Sequence, residues 1–113
     1  MTTRGIAKDK AKQILSEVPQ ERAFHFYESM GAHTGRWARS LVEFCNSLPD
    51  LSAKSIEFHT QRGDFEKWIR YLQDNALASQ IAKLRARKLT GEALRTELYN
   101  LVKKRVGELQ ARL

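Results

Sequence analysis

From Thr90 to the C-terminus, Leu94, Leu98, Leu101, Val102, Val106 and Leu109 recur at intervals of four, three, one, four and three. That spacing gathers the apolar side chains onto one stripe of an α-helix and does not fit the two-residue alternation of a half-buried strand. It predicts a final helix of about twenty residues or more, roughly 30 Å long. Thr90 is placed to cap it, and Glu92 puts a negative charge in the first turn, where the helix dipole favours one. A chain of 113 residues has room for one modest core. The remaining segments must therefore pack around this helix.

Those segments read largely as helices too. Trp37, Leu41, Phe44, Cys45 and Leu48 follow i, i+4, i+7, i+8 and i+11, which predicts a helix from Trp37 to the Pro49-Asp50 stop. Ser52 is placed to cap a helix from Ala53 to about Gln61. Arg62-Gly63-Asp64 then turns the chain, with Asp64 capping a helix through Phe65, Trp68, Ile69 and Leu72. Asp74 opens a further helix carrying Leu77, Ile81 and Leu84. Near the start, Ala7, Ala11, Ile14, Leu15 and Val18 outline a helix that Thr2 or Thr3 caps and Pro19 ends. Glu21–Met30 fits a helix with Ala23, Phe26, Tyr27 and Met30 inward, although Phe24-His25-Phe26 equally fits a short strand. Gly31-Ala32-His33-Thr34-Gly35 reads as a loop. The expectation is an all-α fold: a compact single-domain bundle of four to six helices with a long C-terminal helix. Residues 1–20 form a Lys-rich N-terminal helix or arm, and residues 21–113 the helical domain. Its core is expected to hold Trp37, Leu41, Phe44, Ile56, Phe65, Trp68, Ile69, Leu77, Ile81, Leu98 and Val102.

Charge divides the chain unevenly. Lys and Arg number 20 against 13 Asp and Glu, a formal net charge of +7. Residues 21–73 balance seven basic side chains with seven acidic ones, whereas residues 74–113 carry nine basic and four acidic. The first twenty residues add four basic against two acidic. The excess therefore sits at the two ends, where it attracts polyanions such as nucleic acid unless it is only a solvated helix face. Apolar stretches are too short for a membrane span. The single Cys45 cannot make an internal disulfide, and the start lacks the apolar core of a signal peptide. A cytoplasmic location without membrane contact is the expectation.

Ser55-Ile56-x-x-His59, a short loop, and Asp64-Phe65-x-x-Trp68 form a recognisable sequence core. Together with Thr34-Gly35, Ser40-Leu41-x-x-Phe44, Asp74, Leu77-Ala78 and Ile81, it resembles an uncharacterised small helical domain family of archaeal and bacterial proteins, over about residues 23–85. The resemblance implies a fold and carries over no catalytic residue. From the residues themselves, His59, Asp64 and Trp68 lie at a helical corner beside Ile56. There the imidazole either packs and hydrogen-bonds within the corner or serves a binding or ligating role.

Other chemistry finds little support. His25, His33, His59 and Cys45 have neither i, i+4 pairing nor a C-x-x-C, so no metal or other cofactor is expected. Cys45 falls in an apolar stripe rather than in the electropositive setting of a nucleophile. Gly31 and Gly35 make no phosphate-loop pattern, and an enzyme is not the expected outcome. The leading expectation is a small non-catalytic protein that contacts RNA, DNA or a ribonucleoprotein through sequence-tolerant phosphate contacts. Lys83, Arg87, Lys88, Lys103, Lys104 and Arg105 are the candidate cations. The alternative is a protein-interaction or accessory module of a larger complex, using the C-terminal helix.

Overall fold

A computed structural model describes residues 6–113, and Thr2 and Thr3 lie outside the described residues. The helices are α1 (Lys8–Leu15), α2 (Leu41–Ser47), α3 (Ala53–Arg62), α4 (Asp64–Tyr71), α5 (Asn75–Ala86) and α6 (Gly91–Gln110). Between α1 and α2 run two antiparallel strands, β1 (Phe24–Tyr27) and β2 (His33–Ala38). Three-residue 3-10 turns lie at Gln20–Arg22 and Leu48–Asp50. As the leucine spacing requires, α6 is the central post. Leu94, Leu98, Val102, Val106 and Leu109 are all buried, and α1, α2, α3 and α5 pack against it. The fold is mostly helical with a small hairpin rather than all-α.

The hairpin corrects three readings of the same stretch. Glu21–Met30 is not a helix: burial alternates along Phe24, His25, Phe26 and Tyr27, with the two phenylalanines inward and Met30 77% exposed. Gly31–Gly35 is not one loop. The turn closes at Ala32, and β2 begins at His33. The helix expected from Trp37 starts only at Leu41, and Trp37 lies on β2, 43% exposed and opposite His25. Local capping explains this last shift. Ser40 Oγ accepts the Glu43 N–H at 3.1 Å, and the Glu43 carboxylate turns back to accept the Arg39 N–H at 2.8 Å. These two bonds fix the helix start four residues after Trp37.

Caps elsewhere divide. Ser52 accepts the Ser55 N–H, and buried Asp74 accepts the Leu77 N–H, both as expected. Asp64 makes no cap bond. Gly63, at φ +74°, both ends α3 and begins α4, which leaves the Asp64 carboxylate free to point back across the corner. Thr90 makes no side-chain cap bond either, and Glu57 instead accepts the Gly91 N–H at 2.7 Å. Helix α1 stops at Leu15, short of Pro19. Ala11 and Ile14 are its buried residues, and Val18 continues as extended chain bonded to the Arg39 carbonyl.

Candidate functional site

Where the hairpin meets the α3–α4 corner, aromatic rings fill the core. Phe24 lies between 4.8 and 5.8 Å from the rings of Phe26, Phe44, His59, Phe65 and Trp68. Trp68 is buried and its indole N–H donates to the Arg22 carbonyl at 2.9 Å, tying α4 to the turn before β1. His59 is the second tie. The Tyr27 backbone N–H donates to its Nε2 at 2.8 Å, so the ring proton resides on Nδ1 and is donated to Asp64 at 2.8 Å. Both ring nitrogens are thus engaged within the fold. Burial lowers the His59 pKa, and the neighbouring Asp64 opposes that effect without overcoming it. A neutral imidazole whose Nε2 already accepts a backbone proton has no lone pair left for a substrate or a metal. The His59–Asp64 pair clamps the hairpin to the corner.

The solvent side of the hairpin has a different character. Trp37, His25, His33 and Tyr27 form a row, with successive ring centroids 6.1, 5.2 and 4.9 Å apart. Gly35 N–H donates to His33 Nδ1 at 2.7 Å, which places the His33 proton on Nε2 and directs it to His25 Nδ1 at 3.0 Å. Binding a metal at His33 Nε2 would move that proton to Nδ1, against the Gly35 amide. The pair is therefore built as a hydrogen-bond relay rather than as two ligands. Among the described residues, no group of three or more His, Cys, Asp or Glu is placed to hold a metal ion.

A half-open cavity of about 410 Å³ adjoins the row between β1 and α3. Tyr27, Met30, Phe58, Arg62 and Asp64 are among the residues that line it. Arg62 lies 4.9 Å over the Phe58 ring, with its Nε 3.3 Å from Asp64 Oδ2. Its Nη1 meets the Met30 sulfur, a weak acceptor.

The six candidate cations do not act as one patch. Lys83 and Arg87 line one groove between α5 and α6 together with Glu97, and Lys104 and Arg105 line a second with Glu108; the two share Gln80 and Leu101. Arg87 also reaches Glu97 at 3.2 Å. Lys103 lies over the Tyr99 ring, 5.6 Å from its centroid, and Lys88 lines a separate hollow with Thr60 and Arg85. Arg105 turns inward. Its Nε and Nη2 donate to the two oxygens of buried Asp74 at 2.8 and 2.9 Å, which raises the arginine's pKa. Cys45 is buried as expected, and burial pushes its thiol pKa up despite the pull of Lys103.

The family of unknown function DUF5752 matches residues 6–103. The chain belongs to that family. The match extends on both sides of the stretch that first suggested an uncharacterised family, and takes in α1 and most of α6. No curated protein and no solved structure matches the chain.

Sequence reasoning missed the aromatic row, because it places Trp37 on a helix and His33 in a loop; its strand alternative for Phe24-His25-Phe26 is the one β1 bears out.

Proposed function

We propose that this protein is a small non-catalytic module that contacts RNA, DNA or a ribonucleoprotein through sequence-tolerant phosphate contacts from the α5–α6 face. The observation that carries this reading is the convergence of Lys83, Arg87 and Lys104 on the adjoining grooves around Gln80 and Leu101. Lysine and arginine side chains at such spacing neutralise phosphates without reading bases. The overall charge of +7 favours encounter with a polyanion. Docking of a partner protein on α6 draws less support, since the helix's apolar stripe is spent on the protein's own core. No helix among the described residues is long and apolar enough to cross a membrane.

Salt dependence tests the reading. Replacing Lys83, Arg87 and Lys104 together by Glu is expected to flatten the slope of log affinity against log salt by roughly 2–3, at about 0.7–0.9 per phosphate contact. The control reverses exposed Lys54 and Lys67, in the charge-balanced middle. If the triple variant stays folded and binds nucleic acid with an unchanged slope, the α5–α6 face is not the contact.

A further inference from the structure

We infer that the solvent face of the hairpin is a stacking platform for the unpaired bases of a single nucleic-acid strand, with one base entering the adjoining cavity. The inference rests on the nucleic-acid reading for the nature of the ligand, but on entirely different residues. Trp37, 43% exposed, heads a row of four rings in which His25 and His33 are tilted by 36° and 54° to their neighbours and Tyr27 stands edge-on to His33 at 83°. Aromatic rings on a small sheet stack successive bases whatever their identity, because every base has a π-face. The platform is pre-set. The relay from Gly35 N–H through His33 to His25 fixes two of the four rings, and Thr34 Oγ1 accepts the next amide, Arg36 N–H, at 3.2 Å. Little ordering is left to be done on binding.

A cation stands by the row at its cavity end. Arg36, next to Trp37 on β2, faces the other side of the hairpin and lies 3.7 Å from Asp50, a contact that water screens. Arg62 stands at the cavity. There Asp64 Oδ2 accepts the His59 Nδ1–H and lies 3.3 Å from the Arg62 Nε as an ion pair, while Oδ1 has no hydrogen-bond partner among the described residues. The guanidinium donors beside this open acceptor match the adjacent acceptor and donor on the edge of a nucleobase. A bare anion fits less well, since Asp64 would repel it. The cavity volume is within the usual range for small-ligand sites, and Tyr27 and Phe58 give it aromatic walls.

The test uses the full chain and three probes: a fluorescent twelve-residue oligo(dT), the same sequence as a blunt duplex with its complement, and free UMP. Preference for the single strand over the duplex is expected. Trp37→Ala is expected to weaken oligo(dT) binding roughly 5- to 150-fold, the range for loss of one stacked base, and Arg62→Gln roughly 10- to 150-fold, the range for loss of a charge-assisted hydrogen bond to the base edge. Trp37→Ala should leave the salt slope unchanged, because it removes no phosphate contact. The Lys83, Arg87 and Lys104 variant should instead flatten the slope and keep the single-strand preference. If that preference survives while the groove variant has no effect, the hairpin reading stands and the α5–α6 reading fails. Equal binding of duplex and single strand, unchanged affinity in Trp37→Ala, or binding of UMP with none of oligo(dT) would each overturn the platform.

Discussion

The helical corner and the hairpin above it each carry one tryptophan, and they use it in opposite ways. Trp68 on α4 is enclosed by Phe24, Phe44 and the chain before β1, its one polar atom satisfied by the Arg22 carbonyl. Trp37 on β2 is 43% exposed, and its ring neighbour is half-exposed His25 across the strands. The same contrast separates the histidines. His59 has both nitrogens consumed by Tyr27 and Asp64 inside the fold, whereas His25 and His33 stand at the surface and bond to each other. Residue type alone thus says little about role here. Position decides it: His59 and Trp68 lie on the helices beneath the hairpin, whereas His25, His33 and Trp37 lie on the strand face turned away from them.

The widest gap between the two regions is expected in their tryptophan truncations. Trp68→Ala should destabilise the protein by about 3–5 kcal/mol, combining lost apolar burial with a cavity the surrounding rings cannot close. Trp37→Ala, at a site where just over half of the side chain is covered, should cost less, about 1–2 kcal/mol. Denaturant melts of the two variants measure both. Equal losses would show that the hairpin face is core, and would remove the stacking platform with it.

The second comparison lies within the basic C-terminal region, between neighbours on α6. Arg105→Ala strands the Asp74 carboxylate, whose side chain is fully buried, and should cost roughly 3 kcal/mol. Lys104→Ala, on an exposed site next to it, should cost within about 0.5 kcal/mol. Nucleic-acid affinity should respond the other way round, with Lys104→Ala reducing the salt slope in a protein of unchanged stability. A harmless Arg105→Ala would mean that the arginine is free to meet phosphate after all.

Much of the helical half was legible because its periodicity is long and its breakers are sharp. The α6 stripe, the Ser52 and Asp74 caps and the buried Cys45 all follow from residue spacing. The hairpin was only half legible: Phe24-His25-Phe26 fits the strand it forms, but its partner strand was hidden, and the reason is physical. Trp37, Leu41, Phe44 and Leu48 satisfy a helical template, although the first of them belongs to a strand. Ser40-x-x-Glu43 was the decisive local signal, since a hydroxyl and a carboxylate at that spacing start a helix regardless of the apolar residue before them. Inward-turning Arg105 was hidden for another reason. Its partner Asp74 lies 31 positions earlier, and spacing along one helix cannot reveal a bond between two. Asp64 looked like a cap because it follows Gly63, yet its carboxylate answers to His59 five residues back.

The smallest expected effect concerns the clamp between the two regions and is read through pH. His59 has a lowered pKa in the folded state, so the unfolded chain binds its proton at a higher pH than the folded protein does. Between 6.5, the ordinary histidine value, and the lower folded value, the unfolded state therefore holds more protons. Stability from this group is fully present above about pH 6.5 and declines as pH falls through that window. Protonation at Nε2 would set two N–H groups against each other at the Tyr27 amide, so the bond between hairpin and corner is the one lost first. His59→Gln removes the titrating group, and should lower stability at neutral pH by about 1–3 kcal/mol as buried partners lose good hydrogen bonds. It should also flatten the dependence of stability on pH across the same window, leaving only the contributions of other groups. Amide exchange at Tyr27 locates the effect: in the parent it should quicken on acidification relative to the α6 core amides. Uniform behaviour of those amides, or an undiminished pH slope in His59→Gln, would place the acid sensitivity elsewhere and leave His59 as packing alone.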